Sequence, residues 1–131
     1  MALRRRLKHV LIGGFLVVQG FGAAAEGAPP TFTVNPSSGP AGSGYEAAAS
    51  GPGNTCPNPS DVIIVAFVDS AGTETESDPI PVEQDGSWRA TLTVPGNAAR
   101  GAADLEVGCH ATPTADEPNL LYTRGKFTVT G

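Results

Sequence analysis

From Thr31 onward, no stretch longer than two helical turns places apolar residues at helical spacing. The Ala-rich pieces, 47–49 and 98–103, are interrupted by Gly or lack large apolar partners. What recurs is a short run of period two, closed each time by Gly, Pro, Asn or Asp. A chain written this way cannot bury a helical stripe, but it can bury one face of many short strands. The expectation is an all-β domain.

The runs can be placed individually. Thr31-Phe32-Thr33-Val34 stops at Asn35-Pro36, and Ser37 to Gly42 reads as a turn. A weaker run covers Gly44 to Ser50, followed by a long loop through Cys56. Val62 to Val68 is apolar at every position, so it belongs at the centre of a sheet, covered on both sides. Thr73 to Asp78 is polar. Ile80 to Glu83 is expected at an edge, because Pro79 and Pro81 have no N–H to donate. Asp85-Gly86 signals a hairpin joining that run to Ser87–Val94. In this next strand Trp88, Ala90, Leu92 and Val94 point inward, with Arg89, Thr91 and Thr93 outward. Ala102 to His110 turns Ala103, Leu105, Val107 and Cys109 inward, and Asp104, Glu106 and His110 outward. A last run extends from Leu120 to Thr130. About seven strands in about 100 residues is the count of an immunoglobulin-like β-sandwich.

The N-terminus has a different composition. Arg4, Arg5, Arg6 and Lys8 precede an uncharged stretch from Val10 to Ala25 that ends in Ala23-Ala24-Ala25. This is the layout of a signal peptide over residues 1–25, cleaved before Glu26, with residues 26–131 forming the domain. An uncleaved anchor is the alternative. The apolar stretch is shorter than the ~20 residues a bilayer crossing needs, and Gly13, Gly14, Gln19, Gly20 and Gly22 dilute it. The full chain carries 8 basic and 13 acidic residues. Four of the basic residues and none of the acidic ones lie in the leader, which leaves the mature chain at −9. Such a surface repels nucleic acid and anionic membranes, since phosphate binding requires clustered Lys and Arg. A secreted, extracellular protein with no membrane partner after cleavage is expected.

A domain of this size buries a thin core, and staples add to it. The chain has two cysteines, Cys56 and Cys109. In an oxidising compartment they are expected to pair, for roughly 4 kcal/mol of loop-entropy stabilisation. Free thiols or half a zinc site would be the alternative, but zinc takes four ligands and the mature chain adds one histidine, His110.

A serine or cysteine nucleophile needs a base, and His110, on an outward position, is the sole histidine outside the leader. Gly-x-Ser-x-Gly, phosphate-loop and His-Glu-x-x-His motifs do not occur. Glu74, Glu76 and Asp78 could share a strand face, as glycosidase carboxylates would, but aligned like charges mark a solvated edge. Asp69, Glu74, Glu76, Asp78 and Glu83 bracket one hairpin region, as calcium ligands would, but lack the regular spacing of a calcium loop. The expectation is a protein that is not an enzyme, with no catalytic residues, metal or cofactor.

Two resemblances emerge. Val34-Asn35-Pro36-Ser37-Ser38-Gly39-Pro40-Ala41-Gly42 resembles the opening of bacterial Ig-like domains in exported actinobacterial proteins. Asp85-Gly86-Ser87-Trp88, Val94-Pro95, Gly101, Cys109 and Phe127-Thr128-Val129-Thr130 continue the likeness over nearly the whole mature chain. It departs at Tyr45-Glu46-Ala47-Ala48-Ala49, where that family alternates Val and Thr, so a frayed strand is expected there. Thr33 to Gly39 also resembles the start of neocarzinostatin-type apoproteins, which carry an apolar chromophore in a cleft shaped by two short-range disulfides. This chain has a single, widely spaced cysteine pair. The resemblances imply an exported, non-catalytic Ig-like module with a binding or structural role at or outside the cell surface, its partner an extracellular protein, glycan or small molecule. The alternative is a carrier of a small apolar molecule.

Overall fold

The alternation in the sequence sets the strands. A computed structural model describes residues 28–131, which are all-β, with no helix among them. The leader assigned to residues 1–25 lies outside the described residues. Ten strands form: β1 (Thr33–Asn35), β2 (Ser38–Pro40), β3 (Gly44–Ala49), β4 (Val62–Val68), β5 (Glu74–Glu76), β6 (Ile80–Pro81), β7 (Trp88–Thr93), β8 (Gly101–His110), β9 (Leu120–Leu121) and β10 (Gly125–Thr130). The count exceeds the expected seven because short pieces of apparent turn also pair. Ser38–Pro40 joins β10, the polar Glu74–Glu76 joins β4, and the last run divides into β9 and β10.

Two sheets result. One has the order β1-β3-β7. The other runs β2-β10-β8-β4-β5, with β6 also on β4 and β9 also on β8. Most neighbours are antiparallel, whereas β2 lies parallel to β10, with Ser38 opposite Thr128. The chain's first two strands therefore serve different sheets, β1 pairing with β3 and β2 with β10.

Both sheets turn one face into a single core. Tyr45, Ala47, Ala49, Trp88 and Ala90 come from the first sheet, and Ile63, Val65, Phe67, Leu105, Val107, Phe127 and Val129 from the second. Val62–Val68 is central, as expected, flanked by β8 on one side and by β5 and β6 on the other. β3 is not frayed. Although Ala-rich, it pairs along its length with β7, and at Glu46–Ala48 also with β1. Small side chains suit its position, because Ala47 and Ala49 are buried in the core the two sheets share.

The expected hairpin across Asp85-Gly86 does not form as a ladder. The turn itself is present, with the Glu83 N–H bonded to the Ser87 carbonyl at 2.8 Å. The two runs then part: Ile80 and Pro81 pair with Ile63 and Val62 of β4, while β7 pairs with β3. The prolines flanking Ile80 keep β6 too short to hold β7. Gly86 occupies φ +86°, and a Cβ there would strike the Cys56 carbonyl. The cysteine loop thus rests directly on this turn, and the Cys56 N–H donates to the Gly86 carbonyl at 2.9 Å.

Candidate functional site

The predicted disulfide is present. Cys56, in the loop between β3 and β4, is bonded to Cys109 near the end of β8, with the Cα atoms 5.8 Å apart. Asp61 is the one further potential metal ligand beside it, all three ligand atoms lying within 4.8 Å of one another. Both sulfurs are committed to each other. The Asp61 carboxylate accepts from Asn119 Nδ2 at 2.9 Å and the Asn58 N–H at 3.3 Å. The arrangement is that of a structural staple.

The acidic residues weighed for calcium do not converge among the described residues. Asp69 is occupied by the backbone: its carboxylate accepts from the N–H groups of Ala71 and Thr73 at 2.9 Å and of Ala99 at 3.0 Å. The Ala99 bond foremost, helped by the others, holds its carboxyl below the usual carboxylate range. Glu74 and Glu76 lie opposite Val68 and Ala66 on the outer face of the larger sheet, and Asp78 and Glu83 are exposed.

His110 points outward, as expected, but it is not a surface histidine. It is 2% exposed. The segment following β8 folds back over it, bringing Pro118 and the Leu120 carbonyl against Gly108 beside the imidazole. Neither ring nitrogen makes a well-formed hydrogen bond. Burial holds its pKa below the ordinary histidine value, against the opposite pull of the Ala115 backbone and the Glu76 and Asp61 carboxylates. Periodicity indicated the direction of this side chain; the loop that covers it left no periodic signal.

The concave feature of interest lies where the two sheets diverge. Because β6 leaves β7 for β4, a cleft of about 380 Å³ opens between the free edge of β7 and the β5–β6 edge. Tyr45, Val65, Phe67, Ile80 and Leu92 line its apolar part. Pro79, Pro95, Thr75, Glu76, Ser77, Asp78, Thr91 and Thr93 line the rest. The Tyr45 and Phe67 rings lie 6.3 Å apart, and Tyr45 is also 5.2 Å from Phe127. Tyr45 is 4% exposed, and burial pushes its phenol up to about 12. Its hydroxyl makes no hydrogen bond within the described residues. Sequence reasoning missed this cleft, since it depends on which sheet β6 joins. The available signal was Pro79-Ile80-Pro81, which marked an edge without saying whose.

Comparison with known proteins adds little. No protein-family model and no curated protein matches this chain. Among solved structures it is similar to Pseudomonas fluorescens alkylpurine DNA glycosylase AlkC bound to DNA containing an abasic site analog, at 13% identity and a TM-score of 0.43. The match covers 78% of this chain and 30% of that one. So low a score carries no argument about function. Among the described residues, no helix is long and apolar enough to cross a membrane.

Proposed function

We propose that this protein is an exported, non-catalytic immunoglobulin-like β-sandwich that works by binding at or outside the cell surface. The observation that carries this reading is the filled core around Trp88. Trp88 is 2% exposed, and its indole N–H donates to the Tyr122 hydroxyl at 2.9 Å. The tryptophan is therefore structural and offers no platform to a ligand. Two sheets sharing one core, successive strands β1 and β2 assigned to different sheets, and a disulfide reaching the penultimate long strand support the immunoglobulin-like assignment. The buried, unpartnered His110 supports a non-catalytic role, since a general base must reach its substrate. The surface at −9 speaks against a nucleic-acid partner. The rival, a carrier of a small apolar molecule, would need a predominantly apolar cavity. The cleft beside Tyr45 is of mixed character, with Thr75, Glu76, Ser77, Asp78, Thr91 and Thr93 among its lining residues.

Native mass spectrometry of the protein recovered from the medium of its host tests this reading. A mass beginning at Glu26, lighter by two hydrogens and free of added small molecules, supports the module. A retained small-molecule mass sinks it in favour of the carrier. Retention of residues 1–25 in the membrane fraction sinks the export on which both readings rest.

A further inference from the structure

The outer face of the larger sheet would ordinarily be wet, yet part of it is dry. Ile63, Val65 and Phe67 fill the shared core, so Ile64 points the other way, and it is nevertheless 6% exposed. Gly108 lies opposite it on β8, and His110 follows two residues on, on the same face. The cover is the segment after β8. Pro118 is seated on Gly108, where an added Cβ would come within 2.9 Å of it and within 3.3 Å of His110 Nε2. Residues 111–119 thus form a flap with Ala115 and Pro118 half-buried and Thr112, Pro113, Thr114, Asp116 and Glu117 exposed. Asn119 is its clasp: the backbone N–H donates to the Cys109 carbonyl at 2.6 Å, and Nδ2 donates to Asp61 at 2.9 Å. Pro113 and Pro118 have no N–H with which to add to that hold.

Beneath the closed flap the imidazole is 2% exposed, and neither nitrogen has a hydrogen-bond partner. A charged ring there would bury two unsatisfied donors. The charged groups near it do not supply the missing acceptors. Asp61, ahead of β4, is committed to Asn119 and Asn58. Glu106, on the same face of β8, reaches Arg124 at 3.6 Å. Glu76 of β5 and the flap's own Asp116 and Glu117 are exposed. We propose that His110 is a proton-operated release for the flap 111–119, which lies closed at neutral pH and lifts in mild acid, hydrating the imidazolium and uncovering Ile64. With the flap closed, burial keeps the ring neutral against the pull of the Ala115 backbone, Glu76 and Asp61. With it open, the ring takes a proton near pH 6.5. Opening therefore consumes a proton. It gains nothing above about pH 6.5 and is favoured by up to about tenfold per pH unit below it, until the closed ring titrates as well. Carboxylates titrate near pH 4, so between pH 7 and 5 His110 is the operative group.

Amide hydrogen exchange of the oxidised protein, followed by NMR at pH 7 and pH 5 after expression of the whole chain, tests this. Each rate is divided by that of an unstructured chain at the same pH. Lifting the flap breaks the Asn119 clasp, whereas Tyr122, whose N–H donates to the Val107 carbonyl at 3.0 Å, lies beyond the hinge. Protection of the Asn119 amide is expected to fall by about tenfold between pH 7 and 5, with that of Tyr122 and of the β4 amides unchanged. His110→Leu cannot take a proton, and its Asn119 protection is expected to be the same at both pH values. Glu76→Gln alters an exposed position, so the fold is expected to tolerate it if His110→Leu does not fold. It removes an attraction from the closed imidazolium and is expected to enlarge the acid drop. An Asn119 protection that ignores pH would overturn the proposal, as would an equal loss at Tyr122 and in β4, which is global unfolding. A drop that persists in His110→Leu, or one that Glu76→Gln leaves unchanged or diminishes, would overturn it too.

Discussion

The indole N–H of Trp88 and the hydroxyl of Tyr122, 34 residues apart in sequence, meet at 2.9 Å inside the core. Tyr122 in turn donates to the Asn54 carbonyl at 2.8 Å. Trp88 begins β7 in the smaller sheet, Tyr122 follows β9 in the larger, and Asn54 lies in the cysteine loop. One hydroxyl thus ties both sheets to the loop that carries the disulfide. Phe32 packs against both rings, at 6.0 Å from Trp88 and 5.9 Å from Tyr122.

Tyr122→Phe removes only that oxygen and leaves the ring in place. It strands a buried indole N–H and a loop carbonyl, so a loss of about 1–3 kcal/mol is expected in urea unfolding. An unchanged midpoint would mean that the hydroxyl is incidental.

Gly86→Ala is expected to cost more than about 2 kcal/mol, because it combines a left-handed backbone with a Cβ pressed on the Cys56 carbonyl. Gly72 adopts φ +87° with open space around it, and Gly72→Ala isolates the backbone contribution alone. Comparing the thermal midpoints of the two variants separates strain from collision.

Asp69 fastens the β4–β5 turn to the segment before β8 through Ala99. Its carboxyl is held below the usual range in the folded protein. The stability it contributes is therefore present above about pH 4 and disappears as pH falls through the folded value. Asp69→Ala is expected to lose about 3 kcal/mol at neutral pH. The difference from the parent protein should shrink towards zero in acid, as followed by thermal melts from pH 7 to 2.

His110 gives a step at higher pH. The folded protein holds it neutral, facing Glu76 and Asp61, while the unfolded chain takes up a proton near pH 6.5. Stability is expected to fall as pH drops below about 6.5. His110→Leu should flatten that portion of the curve between pH 7 and 5, which melts of the two proteins would reveal.

Both tyrosines of the chain, Tyr45 and Tyr122, are raised above 10, chiefly by burial, and Tyr45 reaches about 12. The folded state favours the protonated phenol, so this stability is present below pH 10 and is lost as pH climbs towards 12. Absorbance at the tyrosinate band should stay flat through pH 10 and rise with unfolding. A free transition at pH 10 would show that the Tyr45 hydroxyl is open to bulk water.

Period-two alternation made much of this fold legible. Inward Trp88, Ala90 and Val94, the fully apolar β4 and the disulfide between Cys56 and Cys109 all followed from local pattern and cysteine count. What escaped depends on contacts between distant segments. Nothing in Ile80-Pro81 says that it bonds to β4 instead of β7, so the cleft was invisible. Nothing in the loop near Pro118 says that it closes over His110. Nor does Ser38-Gly39-Pro40, written in turn residues, announce a strand, because its pairing is dictated by β10 from the far end of the chain.

That pairing has a consequence for how the molecule comes into being. β10 is the sole neighbour of β2 and covers one side of β8 over Gly101–Leu105. Until Gly125–Thr130 has emerged, β2 has nothing to bind and Phe127 and Val129 are missing from the core. The domain is closed by its last-delivered strand gripping one of its first, a long-range contact of the kind that slows folding. A domain synthesised from its N-terminal side would therefore stay pliable until β10 is free, and lock only then.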